Sequence, residues 1–195
     1  MLSHKKSLNI LKKTNALLEG HFILSSGLHS SKYIQCAKLL SFPRQANSIC
    51  KSLAKKIKKK FKKIDIILSP AMGGIIIGYE IGKILNKESI FCERIDGKFK
   101  LRRGFNIKKN AKVLIVEDVI TTGKSSLECV KLIKKYKAKL LGFASIIDRS
   151  EKKSLKIKTA IISHLKIDVP TFSKDNLPVS LKKIPITTPG SRFIK

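Results

Sequence analysis

The segment VLIVEDVITTGKSS, Val113 to Ser126, sets four apolar residues directly before two adjacent carboxylates, Glu117 and Asp118. Val119 and Ile120 lead on to Thr121, Thr122, Gly123, Lys124, Ser125 and Ser126. The apolar run reads as a buried strand, and the Gly-Lys-Ser-Ser that follows opens a helix. Free backbone N–H groups at a helix start form a cradle for a monophosphate, aided by the dipole and by the hydroxyls of Thr121, Thr122, Ser125 and Ser126. Two carboxylates just before that cradle would repel a phosphate laid on them. They suit the hydroxyls of a sugar, or a Mg²⁺ held through those hydroxyls. Phosphate at one end and diol at the other describes a ribose 5-phosphate. The plainer alternative is a capped helix whose acids form surface ion pairs. A nucleotide P-loop is excluded, because position 118 is Asp where that motif needs Gly, and no Gly-x-Gly-x-x-Gly run occurs.

The elements that must position these residues are legible as alternating strands and helices. Residues 3–18 carry apolar and basic residues at helical spacing, which predicts a first helix ending near Gly20. β-like segments follow around a Ser-Ser-Gly turn in HFILSSGLHSSKYIQCAKLL, and Pro43 opens an amphipathic helix to about Lys60. DIILS reads as a strand, GGIIIGYEIGKILN as a helix, and SIFCER and KVLIVED as strands. KSSLECVKLIKKYKA is a helix, KLLGFASIID a strand, and KTAIISH the last strand. Apolar strands separated by helices indicate an α/β fold with a central, mostly parallel sheet flanked by helices. Ligands of such sheets bind at the carboxyl ends of strands. Three ends carry polar chemistry: Ser69-Pro70-Ala71-Met72-Gly73-Gly74, Glu117-Asp118 with its loop, and Asp148-Arg149. ERIDGKFKLRRGFN reads differently, as a charged excursion too polar for the core and suited to a mobile flap.

At 195 residues the chain is most simply one domain. We divide it into an N-terminal helix and hood (1–42), an α/β core (43–165) with the flap at 94–106, and a C-terminal segment (166–195). Hydrophobic content of 43% marks a globular chain. No apolar run is long enough to span a membrane, and no signal-peptide core is visible, which points to the cytoplasm. The cysteines, Cys36, Cys50, Cys92 and Cys129, have neither CxxC nor zinc spacing and read as reduced, partly buried thiols. His4 and His164 read as surface residues, and His21 and His29 as hood residues without a general-base partner. The formal charge of +29 admits a nucleic-acid partner. Arg, which base-reading surfaces favour, occurs only at 44, 94, 102, 103, 149 and 192, so compositional lysine bias is the preferred account. Nucleic acid is not expected as a specific partner.

VLIVEDVITTGKSS closely resembles the phosphoribosyl pyrophosphate (PRPP) motif of type I phosphoribosyltransferases. GHFILSSGLHSSKYIQCAKLL is similar to the hood of orotate phosphoribosyltransferases, and ILSPAMGGIIIG to their pyrophosphate loop. ERIDGKFKLRRGF resembles the flap of one branch of that family, and TPGSR that branch's C-terminal signature. The resemblance spans roughly Gly20 to Arg192. It implies the type I phosphoribosyltransferase fold with a small N-terminal hood. The implied reaction joins orotate to PRPP, giving orotidine 5′-monophosphate and pyrophosphate in pyrimidine synthesis.

By that resemblance, Glu117 and Asp118 bind the ribose hydroxyls and stabilise the developing cation. Val119 to Ser125 bind the 5′-phosphate. Arg94 and Lys98, with Lys100 beside them, contact the pyrophosphate together with Ala71, Met72, Gly73 and Gly74. Arg149 grips the orotate carboxylate, with Thr121, Ser25 and Ser26 near the base; an Asp148–Arg149 salt bridge is the alternative for that arginine. Mg²⁺ is expected as cofactor, held through PRPP near Asp118 with no direct protein ligand. A homodimer whose flaps are shared between subunits is implied. The chain departs from many relatives at Met72-Gly73-Gly74 and Ser25, where a lysine is common, and at Lys100, where some flaps carry a histidine. The functional alternatives are a PRPP-sensing regulator that binds nucleic acid and a purine phosphoribosyltransferase.

Overall fold

The computed structural model describes residues 1–24, 26–150 and 159–189. Six strands form the main sheet: β3 (Ile66–Pro70), β4 (Glu88–Ile95), β5 (Lys98–Lys100), β6 (Lys112–Ile120), β7 (Lys139–Asp148) and β8 (Ile161–Lys166), in the order β5-β4-β3-β6-β7-β8. All neighbours are parallel except β4 and β5. Every residue of β3 is buried, Ser69 included, as its largely apolar run predicts for a central parallel strand. Helices α3 (Pro43–Lys60) and α4 (Gly73–Leu85) share one core with α1 (His4–Lys13) and the short α2 (Cys36–Leu40). Helix α5 (Lys124–Lys135) contributes Cys129, Leu132 and Ile133 to the second. In α3 the buried positions Ala46, Ile49, Cys50, Leu53, Ala54 and Ile57 recur at helical spacing, so one stripe faces the sheet and the lysines face water. Each fully buried Ile or Leu there contributes about 1.5–3 kcal/mol. Among the described residues no helix is long and apolar enough to cross a membrane.

The hood is a second sheet with the order β10 (Ile186–Thr187), β1 (Leu17–Ile23), β2 (His29–Ile34), β9 (Thr171–Phe172). Strands β1 and β2 form the expected hairpin. The first helix, expected to end near Gly20, instead stops at Lys13. Thr14 turns its hydroxyl back onto the Ile10 and Leu11 carbonyls, and Asn15 takes a left-handed φ of 54°. Asn serves well as such a terminator, so the apolar residues after it are released into β1. KTAIISH holds β8 but not the last strand. The chain goes on to β9 (Thr171–Phe172), a 3-10 turn (Lys174–Asn176), helix α6 (Val179–Lys182) and β10 (Ile186–Thr187), and both late strands flank the hairpin. Two-residue strands carry too little periodicity to be read from sequence.

His164, expected at the surface, is 5% exposed. Its Nε2 lies 2.8 Å from the Ser7 hydroxyl of α1, and burial, with Lys56 nearby, pulls its pKa down to about 4. His21 and His29 are also buried, with Nε2 and Nδ1 2.7 Å apart. All four cysteines are free and buried.

The flap folds as a hairpin with an apolar side. β4 and β5 pair as a hairpin around Asp96 and Gly97, and Phe99, Leu101 and Phe105 pack against the second core. Its cations stay outside, so the hairpin has an apolar and a basic side.

Candidate active site

Parallel pairing carries β6 and β7 to the level of Ile120 and Asp148, so the acids lie at the carboxyl end of the sheet and the 121–123 turn projects beyond it. The buried Glu117 accepts a hydrogen bond from the Ser126 hydroxyl in the first turn of α5. Burial raises its pKa to about 7; the Ser126 bond works against that shift and the neighbouring Asp118 charge adds to it. Asp118 is half-buried, and desolvation raises its pKa too, opposed by hydrogen bonds from the backbone of Val119 and of Asp118 itself. The two acids are therefore unlike: one is enclosed and tied to a helix, the other half-buried against Gly73 with no side-chain partner among the described residues.

The phosphate cradle is smaller in hydroxyls than expected. Ser126 is fully buried and committed to Glu117, so it does not line the cradle. Ile120 turns its side chain into the second core, and its carbonyl accepts from the Arg149 N–H at 2.8 Å. What remains is Thr121 and Thr122, both exposed, half-buried Ser125, exposed Lys124 and the first-turn N–H groups of α5. Gly123 caps the helix with φ +71°, a left-handed value that lets the chain swing from strand to helix in three residues.

β3 ends at Pro70, and Ala71 and Met72 bridge to the start of α4 at Gly73. A Cβ on Gly73 would lie 2.8–2.9 Å from all three atoms of the Asp118 carboxyl group. The expected pyrophosphate loop therefore touches the expected ribose acid, and only a residue without a side chain allows it. The N-terminus of α4, with its unpaired amides and positive dipole end, begins beside Asp118.

Arg149 follows β7 with its guanidinium half-buried. Its Nε has no hydrogen-bond partner among the described residues, and burial lowers its pKa, with nearby Tyr33 and Cys36 working against that shift. No Asp148–Arg149 ion pair forms among the described residues; Asp148 accepts instead from the Ser150 N–H at 2.8 Å. A half-buried cation with an unused donor is suited to a planar anion. Ser26 lies exposed in the hairpin turn, its hydroxyl 3.4 Å from the Leu28 N–H. Ser25 lies outside the described residues.

The flap cations are not gathered at the acids. Arg94 pairs with Glu128 of α5 at 2.6 Å, and Lys100 reaches Asp96 at 3.4 Å. Lys98 is exposed, and among the described residues no flap cation pairs with Glu117 or Asp118. Three neighbours of the site were not singled out by sequence. They are Glu128, Tyr33, and Cys36, whose thiol lies 3.8 Å from the Asp118 carbonyl. Glu128 falls two residues past the motif and one turn after Lys124, and helical spacing alone could have marked it as facing the same side as Lys124 and Ser125. Among the described residues no three His, Cys, Asp or Glu side chains converge on one point.

The phosphoribosyl transferase domain family matches residues 43–176. The chain is 46% identical over 188 residues to an orotate phosphoribosyltransferase of Caldicellulosiruptor saccharolyticus, covering 96% of this chain and 97% of that one. It is 46% identical over 186 residues to the orotate phosphoribosyltransferase of Thermotoga maritima, covering 95% and 98%. The crystal structure of orotate phosphoribosyltransferase from Aeropyrum pernix shares the fold at a TM-score of 0.71 and 23% identity, over 82% of this chain and 92% of that chain. Adenine phosphoribosyltransferase from Saccharomyces cerevisiae also shares it, at 0.65 and 18%, over 81% and 99%. The fold alone therefore does not choose between pyrimidine and purine; the sequence relatives are what separate them.

Proposed function

The chain belongs to the orotate phosphoribosyltransferase family, and from that membership and its strand-end geometry we infer that it transfers the phosphoribosyl group of PRPP to orotate, releasing pyrophosphate. The observation that carries this reading is the contact between Gly73 and Asp118. It brings a loop for the leaving group against an acid for the ribose, with a phosphate cradle a few residues on.

As pyrophosphate departs, positive charge develops at the anomeric carbon and negative charge on the leaving oxygens. Asp118, half-buried against Gly73, takes the ribose hydroxyls and holds negative charge near the forming cation. Glu117 is the second acid, oriented by Ser126. Thr121, Thr122, Ser125 and the α5 amides hold the 5′-phosphate, with Lys124 at their edge and Val119 and Ile120 contributing backbone. Ala71, Met72, Gly73 and Gly74 present the α4 N-terminus to pyrophosphate, joined by Arg94, Lys98 and Lys100 from the flap. Arg149 reads the orotate carboxylate, with Thr121 and the hood serines at the ring. The ring nitrogen of orotate is already anionic, so no strong base is required. Of the two acids, Asp118 is the one with no side-chain partner among the described residues, and a Mg²⁺ held through the oxygens of PRPP would lie near it without a direct protein ligand. When bound with PRPP, such an ion would supply charge neutralisation at the leaving pyrophosphate.

A homodimer is part of this reading. Met72, Ile76 and Tyr79 are 83%, 51% and 63% exposed and follow one another at helical spacing, an apolar stripe that a second copy would cover. Lys98 would then serve the neighbouring subunit's site. Four buried free thiols support a reducing, cytoplasmic setting.

The test is turnover. Purified protein with PRPP and Mg²⁺ is given orotate, adenine, hypoxanthine or uracil, and consumption of each base is followed by ultraviolet absorbance. Loss of orotate alone is expected. Turnover of adenine or hypoxanthine in its place, or of no base, would refute the assignment.

A further inference from the structure

Of the flap's ion pairs, two are local to the hairpin and the turn after it: Arg103 with Glu93, and Lys100 with Asp96. The third joins the flap to a helix. Arg94 Nη2 lies 2.6 Å from Glu128 Oε2, its Nη1 donates to the Gly97 carbonyl at 2.7 Å, and its guanidinium lies 4.4 Å from the centre of the Phe99 ring. Pro70 pairs in register with Cys92, so Arg94 stands two residues beyond the level at which the pyrophosphate loop begins. Glu128 is the fifth residue of α5, whose start is the phosphate cradle. The pair therefore bridges the two elements that receive the ends of PRPP.

The contact is close but poorly directed. Glu128 Oε2 is buried and accepts no aligned hydrogen bond among the described residues. The guanidinium divides its donors between a backbone carbonyl and this carboxylate, and its side chain is 40% exposed. Half-exposed pairs of this kind are weak. Pyrophosphate offers more charge and several oxygens in an arrangement that a guanidinium meets with paired bonds. Exchange of partners is then favourable, and the Phe99 ring remains to support the arginine during it.

We propose that Glu128 is a positioning residue that holds Arg94 against α5 until the pyrophosphate group of the donor substrate displaces it. This rests on the reading above that Arg94 serves pyrophosphate. Glu128 thus competes with the ligand for the flap, weakening donor binding and easing release of the pyrophosphate product.

The experiment is calorimetric titration of Mg²⁺-pyrophosphate into the whole protein, the Glu128→Gln and Glu128→Asp variants, and Glu128→Gln in an Arg94→Ala background, with PRPP and orotate KM measured in parallel. Glu128→Gln is expected to bind pyrophosphate about 2- to 5-fold tighter and to lower the PRPP KM, leaving the orotate KM unchanged. Glu128→Asp keeps the charge but shortens the reach, so it is expected to tighten binding too; it also serves if the Gln variant does not fold. The gain is expected to vanish without Arg94. Unchanged or weaker binding by the variants overturns the proposal, as does a gain that persists in the Arg94→Ala background. If the wild-type protein binds no pyrophosphate, the functional reading falls and takes this one with it; if it binds and turns over orotate while the variants match it, only the role of Glu128 falls.

Discussion

Burial raises the Glu117 carboxyl from an ordinary 4.5 to about 7, so the folded chain holds that proton more tightly than the unfolded chain does. Its contribution to stability is full below pH 4.5 and is lost as pH rises through 7. Glu117→Gln keeps an acceptor for Ser126 and removes the titration. We expect the wild-type Tm to fall relative to that of Glu117→Gln between pH 5 and 8, by calorimetry; parallel pH profiles would contradict the burial account. Asp118 lies half-buried near a strand end, and its loss should touch rate before fold. Asp118→Asn is expected to lower kcat by about 10²-fold with a circular dichroism melt within a few degrees of wild type, and an unchanged kcat would refute its role. Arg149→Ala removes the half-buried cation. It is expected to raise the orotate KM by about 10- to 100-fold, the worth of a hydrogen bond to a charged group, with little change in the PRPP KM; equal rises in both would point to a structural role.

Among the elements, the join between β3 and α4 is the most constrained. A methyl group on Gly73 would overlap the Asp118 carboxylate, so either the loop or the acid must move. Misplacement of about 1 Å at a reacting centre can cost roughly 10²-fold. Gly73→Ala should therefore lower kcat/KM by about 10- to 100-fold while the melting curve holds, measured by steady-state kinetics beside calorimetry. Wild-type activity would mean that the loop and the acid do not act together. The helices α3 and α4 and the strands β3, β4, β6 and β7 follow their sequence patterns closely, because each has a long period of apolar residues. The late strands β9 and β10 and the early stop of α1 do not, because two-residue pairings and a left-handed Asn15 depend on what lies opposite them.

At the scale of the whole molecule, Lys98 has no ion-pair partner among the described residues and the Met72–Ile76–Tyr79 stripe lies exposed. The dimer with shared flaps proposed above would account for both. Assayed at orotate well below the Arg149→Ala KM, Lys98→Ala and Arg149→Ala homodimers are each expected to keep little activity. Mixing them should restore about a quarter of wild-type activity per subunit, because half the dimers are mixed and each mixed dimer has one intact site. No recovery, with subunit exchange confirmed by mass spectrometry, would mean that each site uses its own flap. The surplus of 42 basic over 13 acidic residues is spread over helix faces and the flap, and in an enzyme of polyanionic substrates it steers ligands without selecting among them.

The sequence by itself determined the local order strand, two acids, turn, helix, and with it the chemistry of the site. Apolar runs, a left-handed glycine and helical spacing act within a dozen residues, so they are readable from neighbours in the chain. Only the tertiary structure decided how those residues are divided. It assigned Ser126 to Glu117 and not to phosphate, set Gly73 against Asp118, tied Arg94 to Glu128, and buried His164 under Ser7, 157 residues away in the chain. Each of these is a contact between elements, fixed by how helices and strands pack, and no spacing within a single segment encodes it.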